Sequence, residues 1–133
     1  MMIDMDTDNN YNQIFSKRTK SLTITIINEL SDVPYSDKIS NIRKQIFRSA
    51  SSTASNYRAM CRARSLKEKY SKICIVVEEA DETLFWLELI DELNLLEAGK
   101  INNLLKEADE IVKATSSYKK KLSEDLKRIS NQL

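Results

Sequence analysis

The chain has 133 residues and carries 21 Lys and Arg against 20 Asp and Glu, which leaves a formal net charge of +1. This length predicts one domain with a real core, and one glycine and one proline are too few for the turns of a β-sandwich or barrel. The absence of histidine excludes Ser-His and Cys-His nucleophile systems, His-ligated zinc and Glu-x-x-His di-iron sites.

We assign residues 1–9 to a short disordered acidic tail and residues 10–133 to a single four-helix bundle domain. The tail lacks the cationic and then apolar pattern of a secretory leader. The longest uninterrupted apolar runs are only a few residues, so no segment is long enough to span a bilayer. We therefore expect a cytoplasmic protein that makes no contact with a membrane.

The first two predicted helices flank the only proline. The first begins at Asn10, which forms a capping-box-like pair with Gln13, and it ends before Pro34, whose ring disfavours helix in the residue before it. Its apolar side consists of Phe15, Leu22, Ile26 and Leu30. The second helix runs from about Asp37 to Met60, with a stripe on one face that alternates spacings of three and four. The stripe consists of Ile39, Ile42, Ile46, Ser49, Thr53, Asn56 and Met60.

A strong capping box from Ser65 to Glu68 opens the third helix, which Asn94 closes, and the fourth begins between Glu97 and Lys100. The stripe of the third helix is Leu66, Tyr70, Ile73, Val77, Ala80, Leu84 and Leu87. The stripe of the fourth helix is Ile101, Leu104, Ala108, Ile111, Thr115, Tyr118, Leu122 and Ile129. Four long helices joined by short turns pack as antiparallel neighbours. The predicted fold is therefore all-α, an antiparallel up-down-up-down four-helix bundle.

Three stripe positions of the second helix, Ser49, Thr53 and Asn56, are small and polar where a bundle normally places Leu or Ile. One interpretation is a close helix approach, with a bulky partner such as Phe85 or Tyr70 in the gap. A second is a buried hydrogen-bond network centred on Asn56, which would fix the helix register. A third is a ligand site between the helices.

The third helix has more apolar surface than one stripe can bury. The surplus residues include Ile75, Phe85, Trp86, Leu89 and Leu93, and the last three recur at spacings of three and four. Because a contiguous exposed apolar face marks an interface, we expect these five residues to join copies of the chain. The alternative is that the N-terminal segment folds over them.

Charge is segregated along the chain. Residues 38–72 contain ten basic residues and one acidic residue, and residues 78–97 contain eight acidic residues and no basic ones. The basic cluster Arg58, Arg62, Arg64 and Lys67 at the turn between the second and third helices is a candidate nucleic-acid site, because it can contact phosphate. The competing interpretation is that basic residues pair with the acidic third helix, within or between subunits.

A metal site and a reactive thiol are the weaker candidates. The carboxylates Glu78, Asp81 and Glu82 suit Mg²⁺ or Ca²⁺, but no second acidic cluster with ligand spacing accompanies them. They have no positioned partner for general acid-base catalysis. Cys61 and Cys74 have neither disulfide nor zinc spacing and are interpreted as small hydrophobic residues. We predict no metal, no cofactor and no enzymatic activity.

Residues 13–122 resemble the bacterial four-helix-bundle family of ribosomal-RNA intervening-sequence proteins, which includes the accessory variability determinants of diversity-generating retroelements. The shared residues are Gln45-Ile-x-Arg48-Ser49-Ala50-x-Ser52, Asn56, Arg64-Ser65 and Glu78-Glu79-Ala80-Asp81-Glu82-Thr83. The resemblance implies a pentameric ring. It also implies, for the accessory proteins, strong basicity, nucleic-acid binding and contact with a reverse transcriptase. For the intervening-sequence proteins it implies no established activity.

The chain departs from the family pattern in two respects. It is nearly neutral, unlike the accessory proteins. Where the family reads Asn-Ile-Ala-Glu-Gly-x-x-Arg, this chain reads Asn-Tyr-Arg-Ala-Met-Cys-Arg-Ala over residues 56–63, so any role of the family's Glu does not carry over. The leading hypothesis is a non-enzymatic, homo-oligomeric scaffold or binding module, for which the resemblance implies a pentamer. The alternative is a nucleic-acid-binding accessory of a reverse transcriptase or ribonucleoprotein.

Overall fold

The computed structural model describes the backbone of residues 5–132 and the side chains of residues 8–132. It contains four α-helices: α1 (Met5–Ser31), α2 (Asp37–Cys61), α3 (Leu66–Glu92) and α4 (Ala98–Gln132). Within this range α1 and α3 each pack against both α2 and α4, whereas α1 and α3 lie diagonally across the bundle, with no Cα atoms within 8 Å of each other. The helices therefore occupy the corners of a bundle with sequential neighbours antiparallel. The predicted all-α, up-down-up-down four-helix bundle is confirmed.

Side-chain caps set the starts of α2 and α3. The Ser36 hydroxyl accepts a hydrogen bond from the backbone N–H of Ile39 at 3.3 Å. The Ser65 hydroxyl likewise accepts from Glu68 N–H at 3.1 Å. These bonds satisfy N–H groups that have no partner within their own helix. The predicted capping box is confirmed in part, because the Glu68 carboxylate accepts from Arg64 N–H at 3.3 Å rather than from the cap residue itself.

The end of α3 lies where Asn94 was predicted to close the helix. Asn94 has a φ of 53°, the left-handed conformation that Asn tolerates better than most residues. The N–H of Leu95 donates to the carbonyl of Ile90, and that of Asn94 donates to Asp91, each at 3.0 Å. This pair of bonds is a Schellman motif, which satisfies the last carbonyls of α3 and turns the chain toward α4.

The first helix begins at Met5, so the predicted start at Asn10 is wrong and residues 5–9 are helical rather than a disordered tail. Residues 1–4 lie outside the described residues. The early start has a tertiary cause: Asp8 accepts a hydrogen bond from the Tyr118 hydroxyl of α4 and forms an ion pair with Lys69 of α3 at 3.4 Å. These contacts hold the first turns of α1 in place, although their acidic, polar sequence alone predicts a disordered segment.

An aromatic cluster fills the same end of the bundle. Its rings belong to Tyr11 and Phe15 of α1, Tyr57 of α2 and Tyr118 of α4. The Tyr11 ring lies 4.7 Å from Phe15 and 5.1 Å from Tyr118, and Phe15 lies 6.4 Å from Tyr57, between centroids. The Tyr11 hydroxyl donates to the Ala114 carbonyl at 2.8 Å. The cluster therefore joins three helices and holds the first turns of α1 against the bundle.

The buried stripes agree with the prediction for α1 and for most of α4, and differ in α2 and α3. In α2, Tyr57 is fully buried and Asn56 is not, and in α4 Asp125 is buried whereas Ile129 is exposed. In α3 the buried residues are Ile73, Val76, Ala80, Thr83, Leu87 and Ile90, so Val77 and Leu84 are only half-buried. Because α3 is apolar on several sides, two overlapping stripes fit its sequence equally well, and packing selected the one that faces α2 and α4.

A layer of mostly small side chains crosses the middle of the bundle. It consists of Thr19, Leu22, Ala50, Thr53, Ala80, Thr83, Ala108 and Ile111, and we call it the mid-bundle layer. It divides the molecule into two ends. We call the end that holds the α2–α3 turn the basic end, since residues 5–18, 54–79 and 112–132 contain fourteen Lys and Arg against seven Asp and Glu.

Candidate functional site

The polar stripe of α2 is a structural element rather than a ligand site. Ser49 and Thr53 are buried, and the Ser49 hydroxyl oxygen lies 2.9 Å from that of Thr83 across the α2–α3 contact. The Thr53 and Thr83 hydroxyls also donate to the carbonyls four residues earlier, each at 2.8 Å. Buried polar groups are normally satisfied in this way. The cavity in this layer measures about 10 Å³, no more than one water molecule needs.

Two details of the earlier interpretations are wrong. The network is not centred on Asn56, because that side chain is half-buried and donates only within its own helix, to the carbonyl of Ser52 at 2.9 Å and its hydroxyl at 3.1 Å. Nor does Phe85 fill a gap beside Ser49, because Phe85 is 49% exposed. The close approach is made instead by small residues on every helix of the layer.

The carboxylates of α3 are divided between solvent and one arginine. Glu78 and Asp81 are exposed. Arg48 of α2 pairs with Glu79 at 3.3 Å and also with Glu82, which accepts from the indole N–H of Trp86 at 3.3 Å. Among residues whose side chains the structure describes, no group of three Cys, Asp or Glu is placed to hold a metal ion. The α3 carboxylates are thus either exposed to solvent or paired with Arg48, as on an ordinary charged helix surface.

The two cysteines are unpaired in the described structure. Burial raises the pKa of the Cys61 thiol to about 11, with Asp8 raising it further and Lys69 opposing the shift. The thiolate is the reactive form of cysteine, so a raised pKa disfavours nucleophilic chemistry near neutral pH. Cys61 therefore behaves as a half-buried packing residue, in agreement with the interpretation from sequence.

The outer side of α3 carries an apolar surface bordered by acids. Phe85 and Leu93 are 49% and 41% exposed, whereas Ile75, Trp86 and Leu89 are half-buried. Phe85 packs edge-on against Trp86, with ring centroids 5.1 Å apart. We call the surface formed by these five residues and the carboxylates of Glu78, Glu82 and Glu92 the α3 face. The described part of α1 does not cover it, because α1 lies diagonally across the bundle from α3 and their ion pair, Asp8–Lys69, lies at the first turn of α3.

The four basic residues of the candidate nucleic-acid site gather at the basic end. Arg58, Arg62, Arg64 and Lys67 are all exposed. Among described side chains no carboxylate lies within ion-pair distance of any of them, whereas Arg18, Arg48, Lys69, Lys100, Lys113 and Arg128 all form such pairs. Within the described chain, the competing interpretation, pairing with the acidic third helix, therefore holds for Arg48 and not for these four, and pairing between subunits stays a prediction.

Two connected grooves run along the contact of α1 and α2, which the sequence did not reveal as a surface. The first, of about 330 Å³, lies at the basic end and is lined by Asn9, Asn12, Gln13, Ser16, Arg58, Cys61 and Arg62. The second, of about 290 Å³, is lined by Ser16, Lys20, Thr23, Ile24, Ser51, Ala54, Ser55 and Arg58. We call the surface around the second groove the α1–α2 face. The one signal in the sequence was the absence of acids from residues 9–28 and 38–61.

The altered turn changes both the core and the surface at this end. Tyr57 and Met60, where the family pattern has Ile and Gly, are fully buried. Arg58 and Arg62 point to the grooves beside α1. In place of the family's Glu the chain has Ala59, so the α2–α3 turn of this protein presents arginines without that carboxylate.

The described part of the chain is thus an all-α four-helix bundle with charged and apolar outer surfaces. None of its helices is long and apolar enough to cross a bilayer. Residues 12–117 match the family of 23S rRNA-intervening sequence proteins, and the chain belongs to that family.

The solved structures include a similar bundle. It is a protein of unknown function from the S23 ribosomal protein family of Bacteroides thetaiotaomicron. It is 25% identical to this chain and superimposes with a TM-score of 0.74, over 83% of this chain and 98% of the other. No curated protein matches the chain.

Proposed function

We propose that the protein is a non-enzymatic, cytoplasmic homo-oligomer that serves as a scaffold or binding module. The pentamer is the assembly implied by its resemblance to other family members. The observation that carries the proposal is the α3 face, where Phe85 and Leu93 are 49% and 41% exposed beside Leu89 and Trp86. A contiguous apolar surface bordered by polar residues is typical of a protein–protein interface.

The substitution Phe85→Glu should convert the assembly to monomers. Phe85 contributes little to the core, so a charge at this position is tolerated in the monomer but would be buried without a partner in an interface. We expect the molar mass from light scattering at micromolar concentration to fall to that of one chain, with helicity by circular dichroism unchanged. Fluorescence of Trp86, the only tryptophan, should shift to longer wavelength as its surroundings become wetter.

The matched control is Ile129→Glu, which places the same charge on a 38% exposed apolar residue of α4. This variant should keep the mass of the unaltered protein. If the unaltered protein is itself a monomer at micromolar concentration, self-assembly is excluded. If Phe85→Glu assembles normally, the α3 face is not the interface.

A second candidate function, nucleic-acid binding as an accessory of a reverse transcriptase or ribonucleoprotein, has its own supporting observation. Arg58, Arg62, Arg64 and Lys67 lie exposed at one end without a described carboxylate partner. Unpaired cations attract phosphate more strongly than paired ones, and phosphate contacts dominate nonspecific affinity for nucleic acid. No aromatic platform for base stacking accompanies them, so the expected contact is with the backbone of RNA or DNA rather than with base sequence.

Replacing Arg62, Arg64 and Lys67 together with Gln should weaken binding to single-stranded RNA and flatten its salt dependence. Each lost phosphate contact removes about 0.7 from the slope of log affinity against log salt, so the slope should fall by about 2. Fluorescence anisotropy over a salt series measures it. The control replaces Lys38, Lys44 and Lys106, all exposed away from the basic end, and has the same net charge. An equal loss in the control, or no binding at low salt by the unaltered protein, excludes a site at the basic end.

A further inference from the structure

We propose that the α3 face of one copy docks on the α1–α2 face of the next, so that the assembly is joined head to tail. The inference rests on the self-assembly proposed above and names its two contact surfaces. It commits to a second copy of this chain as the occupant of the groove between α1 and α2.

Charge complementarity is the first argument. The helix of the α3 face has only acidic charges over residues 78–97, and although Arg48 of α2 pairs with Glu82, Glu78 and Glu92 keep the face acidic. The α1–α2 face has the opposite character, because residues 9–28 and 38–61 contain no acid, and Lys20 and Arg58 line its groove. Two copies of the α3 face would bring like charges together, which disfavours a symmetric contact of that face with itself.

Apolar complementarity is the second argument. Ile24 in the α1–α2 groove is 49% exposed, as Phe85 is on the α3 face. Ile27, one turn after Ile24, is 38% exposed and continues the apolar surface along α1. The α2 side of the groove is formed by Ser51, Ala54 and Ser55, whose small side chains leave room for a bulky ring.

The α3 face and the α1–α2 face lie at the same position along the bundle axis. The helices α1 and α3 run in the same direction, and Ile24 and Phe85 each lie two residues beyond members of the mid-bundle layer, Leu22 and Thr83. At 1.5 Å per residue, both residues lie about 3 Å from that layer along the bundle axis, on the side away from the basic end. Equal heights allow neighbouring copies to associate side by side without a shift along the bundle axis, which a closed ring requires and an open helical filament does not.

The directions of the two surfaces also suit a ring. The α1–α2 face lies between two corners of the bundle, and Phe85 lies on the outer side of the α3 corner. In an idealised square bundle these directions differ by about 90–135°, and a closed ring of five copies needs about 108° between the two contacts of each subunit. The contact is heterologous, because each copy uses two different surfaces.

A mixing experiment tests the pairing. Ile24→Glu destroys the α1–α2 face and leaves the α3 face intact, and Phe85→Glu does the reverse. Each variant alone should be monomeric by light scattering. An equimolar mixture should reach twice the mass of one chain and no more, because only one intact contact can form between the two variants.

Each outcome decides a separate claim. If Ile24→Glu assembles like the unaltered protein, or if the mixture stays monomeric, the head-to-tail pairing is overturned while self-assembly through the α3 face stands. If the unaltered protein is monomeric, self-assembly itself fails. The matched control is Ile14→Glu on the same helix, 46% exposed but outside both groove linings, which should assemble normally. Unchanged circular dichroism in every variant shows that the bundle is folded.

Discussion

Replacing Tyr57 with Ala should lower the free energy of unfolding by about 3–5 kcal/mol, the usual cost of removing a large buried aromatic side chain. Tyr57 is fully buried and packs beside Phe15 in the aromatic cluster that joins α1, α2 and α4. Small domains have a total stability of about 5–15 kcal/mol, so this one substitution should remove a large part of it. Urea unfolding followed by circular dichroism measures the change.

The variant Tyr57→Phe separates packing from hydrogen bonding. The Tyr57 hydroxyl donates to the Asn12 side-chain oxygen at 3.4 Å, a long bond, so its loss should cost about 1 kcal/mol or less. A loss below about 1 kcal/mol for Tyr57→Ala would contradict the packing of this residue in the core. Equal losses for the two variants would mean that the hydroxyl, and not the ring, stabilises this end of the bundle.

The protein should lose stability steeply above about pH 10 because of the same cluster. Burial is the main reason why the pKa of Tyr11 is raised from 10.0 to about 12, with Arg18 opposing the shift and Asp8 adding to it. Burial also raises the pKa of Tyr57 and of Tyr118, and for Tyr118 the hydrogen bond to Asp8 adds to the effect. The unfolded chain therefore releases these protons at a lower pH than the folded protein.

Between about pH 10 and 12 the unfolded state binds fewer protons than the folded state, so stability falls as the pH rises. Below that window the contribution is fully present. In this range each phenol should lower the free energy of unfolding by up to about 1.4 kcal/mol per pH unit. Denaturant unfolding across this range should show the decline. The substitution Tyr118→Phe should make the slope of the free energy of unfolding against pH less steep, because it removes one of the buried phenols.

The control for the alkaline experiment is Phe15→Leu. It perturbs the same cluster without removing a titrating group, so it should lower stability at every pH and leave the slope unchanged. Lysines also titrate in this range, but all variants share them. A slope that Tyr118→Phe leaves unchanged would contradict the assignment of the decline to the buried phenols.

The bundle could be predicted because helix periodicity and capping are local properties. Apolar residues at spacings of three and four place a stripe on one side of a helix wherever that helix later packs. The start of α3 followed from Ser65, whose side chain reaches an N–H group within the same turn. The structure shows that Ser36 caps α2 in the same local way. The left-handed Asn94 after α3 is likewise a local choice of one residue.

Prediction failed where a residue's environment depends on distant helices. Asp8 is ordered by Tyr118, 110 residues away in the chain, so no local signal could extend α1 back to Met5. In α3, Val76 and Val77 are equally apolar, and only the position of the neighbouring helices buries the first more than the second. Tyr57 rather than Asn56 faces the core for the same reason.

The candidate surfaces likewise combine features that the sequence shows with features that only the structure shows. The acidic and apolar residues of α3 were visible in the sequence, and the structure shows that Phe85 and Leu93 remain exposed while Trp86 and Leu89 pack partly against the core. The α1–α2 face emerged only from the structure, because residues 16–24 and 51–58 come together only when two antiparallel helices pack.

The sequence by itself determined the number of helices, their approximate bounds, the antiparallel bundle and the segregation of charge, since each depends on spacing along one helix or on composition. Only the tertiary structure decided which of two α3 stripes is buried, how the start of α1 is held and which charges remain unpaired. It also placed the α3 face and the α1–α2 face at the same position along the bundle axis. These features depend on distances between helices, which a linear pattern does not contain.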